Sequence, residues 1–164
     1  MKQANFVFQH PIGPIYGFIS DVGVKELLLP QGSLPHLSLC EQQTNSSLGS
    51  RLFRSLEGYF SGENESFEDI PLDLSGATAF RRDVWMGARS IPWGQKTTYA
   101  ELAEYIGRTK GAARAVGQAL GANPIPIIIP CHRILASGGA LGGFSAGLDW
   151  KKTLLQVEYG AKYF

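Results

Sequence analysis

The run Asn123-Pro124-Ile125-Pro126-Ile127-Ile128-Ile129-Pro130-Cys131-His132-Arg133-Ile134 constrains this chain more than any other segment. Each of its prolines lacks an amide hydrogen and has a fixed φ, and each pushes the preceding residue out of the helical region, so no regular helix can pass through it. The isoleucines between them favour extended backbone. The expectation is a rigid, buried, extended segment that presents Cys131 at its end. On an extended chain adjacent side chains point to opposite sides, so His132 would reach the thiol only through a water or a turn. A free thiol titrates at about 8.5 and needs a base or a cation nearby to supply thiolate at neutral pH. His132 and Arg133 are the candidates. A Cys-His pair alone does not decide the matter, because a free cysteine is more often an inert buried residue than a nucleophile.

The 164 residues can bury a core and suit two small packed domains better than one. With 44% hydrophobic and 18% charged residues and no repetitive or long polar tract, disordered, collagenous and repeat architectures are excluded. Pro11 and Pro14 interrupt the N-terminal apolar pieces, so no secretory signal is expected, and the apolar stretch from Ile125 to Pro130 is too short to span a bilayer. The expected location is cytoplasmic. Cys40 and Cys131 would form at most one bridge, so reduced thiols are the expectation. Cys40, His10 and His36 lack the close spacing of a zinc site. No metal and no cofactor are expected.

Charge divides the chain near Ser75. Residues 1–75 hold four Lys or Arg against nine Asp or Glu, and residues 76–164 hold eleven against five. A basic C-terminal half fits either a polyanionic partner or a solvated basic surface.

In the first half, Phe6-Val7-Phe8, Ile15 to Ile19 and Val24 to Leu29 read as strands of a small meander, separated by Pro and Gly turns. Leu48, Leu52, Leu56 and Tyr59 recur at helical spacing, so a helix over Leu48 to Phe60 should cover that sheet. The acidic stretch Gly62 to Asp73 has the composition of a linker or exposed loop. Beyond it, Phe80, Val84, Trp85 and Ala88 mark a helix face that stops before Ile91-Pro92-Trp93-Gly94. Thr97 or Thr98 can cap a helix from Tyr99 to about Ile106, ended by Gly107. A second helix over Lys110 to Leu120 follows, which makes a helix-turn-helix. Its interior glycines each cost about 1 kcal/mol relative to alanine, so close approach to some other surface must compensate. That surface is either a neighbouring part of the protein or a nucleic-acid groove, and Arg108, Lys110 and Arg114 on the same element favour nucleic acid. Tyr105, Trp93 and Trp150 are expected in the core.

The segment around Cys131 resembles the active-site signature of the O6-alkylguanine-DNA alkyltransferases, also called methylated-DNA–protein-cysteine methyltransferases. Pro-Cys-His-Arg is followed by a hydrophobic residue, and Asn123-Pro124 begins eight residues upstream of the cysteine. The resemblance extends over about residues 76–160, with Phe80, Val84, Trp85, Ile91-Pro92 and Gly94 matching the elements before the DNA-binding unit. It implies an α/β (α+β) chain. Residues 1–75 would form an N-terminal α/β domain of ribonuclease H-like type. Residues 76–164 would form a C-terminal DNA-binding and alkyl-transfer domain with a winged-helix-like helix-turn-helix.

The function implied is DNA repair by irreversible transfer of the alkyl group of O6-alkylguanine, and as a second candidate O4-alkylthymine, to Cys131, once per molecule. The resemblance makes Cys131 the nucleophile, with His132 and a water taking its proton. Glu158, in a helix from Trp150, would orient His132, and Tyr99 would protonate the departing base. Arg114 would fill the gap left by the flipped nucleotide. Ala112, Ala113, Gly117 and Lys110 would meet double-stranded DNA in the minor groove. Asn123 would organise the turn between recognition helix and active site. Pro126, Ile134, Phe144, Ser145 and Ala146, with the glycines from Gly138 to Gly147, would form the substrate pocket of a monomeric protein. Phe144 replaces a tyrosine common in the family and Ala146 a glycine found in some members, which leaves the alkyl range open. A non-catalytic DNA-binding module and a cysteine hydrolase are the competing classes.

Overall fold

The computed structural model describes residues 3–30, 38–39, 46–144 and 146–160. It is a mixed α/β chain with small sheets, and it separates into two compact units, Met1–Asp73 and Leu74–Phe164. His36 and Cys40 lie outside the described residues.

In the first unit, β2 (Phe6–Phe8), β3 (Ile15–Ile19) and β4 (Val24–Leu28) form an antiparallel meander, and β1 (Gln3–Ala4) pairs in parallel with β5 (Ser38–Leu39). Phe6 and Phe8 alternate into the core, and Ile15, Val24 and Leu27 join them across a register shift between β3 and β4. The helix α1 (Ser47–Phe60) begins at Ser46, whose hydroxyl accepts from the Gly49 amide at 2.9 Å, and it buries Leu52, Leu56 and Tyr59. The acidic stretch Gly62 to Asp73 is not the linker or exposed loop that its composition suggests. Phe67 and Ile70 are buried, and the Val24 amide donates to the Pro71 carbonyl while the Asp73 amide donates to that of Val24, each at 2.9 Å. Those apolar anchors, spaced among Glu63, Glu68 and Asp69, which face water, hold the segment against β4.

In the second unit, α2 (Ala79–Arg89) is capped by Thr78 and packs on α3 (Tyr99–Tyr105) and α4 (Ala113–Gly121). The approach to α3 is close: a Cβ on Gly87 would lie 2.6 Å from an Ile106 methyl. The Trp85 indole N–H donates to the Ala119 carbonyl at 2.8 Å and ties α2 to α4. The strand β6 (Thr97–Thr98) pairs in parallel with β7 (Ile134–Leu135), and α5 (Leu148–Tyr159) closes the unit with Trp150 fully buried. Thr98 and Glu101 form a reciprocal capping box that fixes where α3 starts. The single helix expected over Lys110 to Leu120 is a 3₁₀ turn, Lys110–Ala112, followed by α4. Of the aromatics expected in the core, Trp150 is buried and Trp93 half-buried. Tyr105 is 69% exposed, its hydroxyl bonded to Ser90.

The proline-rich run departs most from expectation. It is wound into turns instead of being extended. The Ile129 amide donates back to the Ile125 carbonyl at 2.9 Å, and Ile127 has φ +75°, a strained value for a β-branched residue. Pro130, at φ −80° and ψ 63°, sits in an inverse γ-turn closed by the Cys131 amide on the Ile129 carbonyl at 2.8 Å. Cys131–Arg133 then make one 3₁₀ turn. The prolines forbid a long helix, but their fixed φ suits consecutive tight turns.

Candidate active site

Asn123 anchors the turns from within. Its side-chain carbonyl accepts from the Ile125 amide at 2.9 Å, while its amide donates to the Ile129 carbonyl at 2.9 Å and to Cys131 Sγ at 3.2 Å. One buried side chain therefore links the end of α4 to the thiol. Cys131 is only 6% exposed, and burial pushes its pKa up to about 11, against the lowering effects of the Asn123 hydrogen bond and the Lys151 charge.

The 3₁₀ turn sends His132 and Arg133 to the same carboxylate. His132 Nε2 lies 2.6 Å from Glu158 Oε1, and Arg133 donates through Nε to Oε2 and through a terminal nitrogen to Oε1, both at 2.9 Å. A further guanidinium nitrogen of Arg133 donates to the Ile91 carbonyl. Burial alone would raise the Glu158 carboxyl, but the hydrogen bonds and charges of His132 and Arg133 outweigh it and hold it at about 2. Burial lowers the pKa of His132, against the pull of Glu158. With Glu158 ionised, the imidazole tautomer that carries its proton on Nε2 is the one that completes this hydrogen bond. Arg133, one of the two groups expected to activate the thiol, is committed to Glu158 and Ile91. Lys151, on α5, is a cation whose charge favours thiolate on Cys131, and sequence reasoning missed it.

Cys131 opens onto a cavity of about 570 Å³ lined by Tyr99, Arg114, Gly117, Gln118, Gly143 and Phe144 among others. Burial raises the Tyr99 pKa, and the nearby Cys131 charge raises it further, so the phenol stays protonated. Arg114 is exposed on the rim, and Ala112, Ala113 and Gly117 are half-buried along the same face. Lys110 is exposed, 3.9 Å from Glu104. Within the protein, a Cβ on Gly117 would meet only Tyr99 ring atoms at 3.8 Å, one on Gly111 would meet Thr109 at 3.5 Å, and one on Gly121 would meet nothing. Internal crowding therefore does not require these glycines. Of the residues expected to form the pocket, Phe144 lines the cavity. Pro126 and Ile134 are buried and are not among its lining residues, Ala146 is half-buried, and Ser145 lies outside the described residues. Gln118, Leu120, Gly121 and Gly143 also line the cavity. The helical spacing of Gln118 from Arg114 is the signal that could have found it.

A buried cysteine beside a His–Glu pair, opening between a small-residue helix and a glycine loop, defines a cysteine-centred transfer site joined to a helix-turn-helix. Residues 79–160 match the family model described as 6-O-methylguanine DNA methyltransferase, DNA binding domain. The methylated-DNA–protein-cysteine methyltransferase of Methanosarcina acetivorans is 40% identical over 152 residues, 93% of this chain and 96% of that protein. That of Haemophilus influenzae is 52% identical over 104 residues, 63% of this chain and 57% of that protein. Among solved structures, Mycobacterium tuberculosis OGT in complex with DNA superposes with a TM-score of 0.80 at 37% identity, covering 96% of this chain and 92% of that one. The chain belongs to the 6-O-methylguanine DNA methyltransferase family. Among the described residues, no helix is long and apolar enough to cross a membrane, and no cluster of three His, Cys, Asp or Glu could hold a metal ion.

Proposed function

We propose that this protein repairs alkylated DNA directly, moving the alkyl group from guanine O6 to Sγ of Cys131. The observation that carries this reading is the position of Cys131 at the cavity, with Arg114 and the glycines of α4 on the facing rim. A base stacked in duplex DNA cannot reach a buried sulfur, so the nucleotide must rotate out of the helix. The small residues Ala112, Ala113 and Gly117 let α4 enter the minor groove, Lys110 meets phosphate, and Arg114 fills the space the base vacates. Phe144 forms an aromatic wall for the extruded base.

The resting thiol is neutral, as is the imidazole, so activation accompanies substrate binding. The thiol proton passes through a water to His132 Nδ1, and the charge formed on the ring is stabilised by Glu158 at 2.6 Å. Sulfur attacks the alkyl carbon, the carbon–O6 bond breaks, and Tyr99 supplies the proton that lets guanine leave neutral. Cys131 becomes a thioether, which no neighbouring group is equipped to cleave, so each molecule acts once. O4-alkylthymine is a second candidate substrate.

The same proposal makes residues 1–75 a ribonuclease H-like domain and residues 76–164 a winged-helix-like DNA-binding and transfer domain. It also makes the protein a cytoplasmic monomer. Incubation with duplex DNA carrying labelled O6-methylguanine tests it. Label should reach the protein rapidly and stop at one group per chain, whereas DNA binding without label transfer would support the non-catalytic module instead.

A further inference from the structure

Arg114 and Gln118 are the residues of α4 that carry polar side chains, and they stand one helical turn apart. Both are exposed, and both line the cavity onto which Cys131 opens. Among the described residues the Gln118 side-chain amide has no hydrogen-bond partner within the protein. Its exposed neighbours on the helix, Ala115 and Gly121, are too small to stand between that amide and whatever α4 meets. At an exposed helix position lysine or glutamate would support the fold as well as glutamine does. What distinguishes the amide is its chemistry, a donor and an acceptor side by side and no charge.

An α-helix rises about 1.5 Å per residue, so Gln118 lies about 6 Å beyond Arg114 along the axis. Base pairs stack about 3.4 Å apart. With Arg114 in the space of the rotated nucleotide, Gln118 therefore falls about one to two base pairs away. On the minor-groove edge an A·T pair presents acceptors alone, whereas guanine presents its N3 acceptor beside its 2-amino donor. Lysine or arginine, with donors alone, suits the first edge, and an amide suits guanine. We propose that Gln118 is a specificity-determining residue that reads a guanine flanking the lesion, its Nε2 donating to N3 and its Oε1 accepting from the 2-amino group. The contact is made to an undamaged base beside the one that enters the cavity. It governs where α4 settles on the duplex, and it makes transfer fastest from lesions within two base pairs of a guanine.

This inference rests on the alkyl-transfer reading, and label transfer by the unmodified protein tests that reading separately. Inosine is guanine without the 2-amino group, so it deletes one of the two proposed contacts and leaves the major groove unchanged. Duplexes carry labelled O6-methylguanine at a fixed position with guanines, in either strand, at the two base pairs on each side. Each guanine is replaced in turn by inosine, and the transfer rate constant at subsaturating duplex is measured for the full chain, Gln118→Ala and Gln118→Lys. Both substitutions fall at an exposed helix position and leave the core untouched. Inosine weakens base pairing for every protein alike, so the comparison between proteins isolates the contact. At one position or more the guanine-to-inosine rate ratio should be about fivefold or more higher for the unmodified protein than for Gln118→Ala, the lower end for a bidentate base contact. Gln118→Lys, with donors alone, should show no preference for guanine over Gln118→Ala. A ratio that is the same in the unmodified protein and Gln118→Ala at every position overturns the proposal. So does a preference for guanine that survives in Gln118→Lys.

Discussion

Replacing Glu158 with glutamine removes the charge on which His132 and Arg133 converge while keeping the side chain's size. The carboxyl sits at about 2 instead of its ordinary 4.5, a difference worth about 3 kcal/mol of folding stability. Because the folded-state pKa is depressed, that stability is fully present above the unfolded value and is lost as pH falls through about 2. The amide also leaves the buried Arg133 guanidinium without a counter-charge, a situation that costs about 3–5 kcal/mol. These figures describe overlapping effects, so the expected loss for Glu158→Gln at neutral pH is about 3–5 kcal/mol. In a chain of this size that corresponds to a fall in Tm of roughly 6–20 °C. Thermal melts of both proteins, followed by circular dichroism at neutral pH and in acid, read this directly. The gap should be large at neutral pH and shrink as the wild-type carboxylate takes up its proton. Equal melting temperatures at neutral pH, or a gap that does not narrow in acid, would refute the argument that an ionised Glu158 holds the turn together.

Asn123→Ala leaves the Ile125 amide and the Ile129 carbonyl buried without their partner, so it should destabilise the protein by about 2–4 kcal/mol in urea titrations and raise the Cys131 thiol pKa further. Tyr99→Phe keeps the ring in the cavity wall and removes the proton donor. Single-turnover transfer should fall by about tenfold to a hundredfold with duplex affinity unchanged, and a parallel fall in affinity would contradict the assignment. Arg114→Ala should slow repair of duplex DNA more than reaction with free O6-alkylguanine, since only the duplex needs the vacated space filled. Equal losses on both substrates would remove it from base rotation.

The elements with strong local signals were legible in the sequence. β-rich pieces bounded by Pro and Gly located β2, β3 and β4, and the leucine spacing located α1 to within a residue. Thr97 or Thr98 could cap α3 in the sequence, and the capping box with Glu101 selects Thr98. The segment Gly62 to Asp73 was misleading because composition averages over faces: a few buried apolar anchors decide its packing while its many acids decide its appearance. The proline run was misread for a related reason. Prolines exclude helix, yet both extended chain and serial turns remain, and it is the long-range bonds of Asn123 that select turns.

At the site, Cys131, His132 and Asn123 could be named from the signature and Tyr99 and Glu158 from the wider resemblance, and the fold brings them together. Lys151 could not be found that way. In sequence it is one polar residue between Trp150 and Lys152 on an amphipathic helix, with the look of a solvated lysine. Only the fold shows that this position faces inward and meets the carbonyls of the pocket loop. The glycines of α4 were the reverse case, a visible anomaly in the sequence, and no internal neighbour lies close enough to require them.

The most direct measurement is the mass of the proteolytic peptide carrying Cys131 after reaction with duplex DNA containing O6-methylguanine. The account predicts a gain of one methylene on that peptide, at one per chain, and no gain in Cys131→Ala. Methyl found on any other peptide, or loss of methyl from the DNA with the Cys131 peptide unchanged, would contradict it.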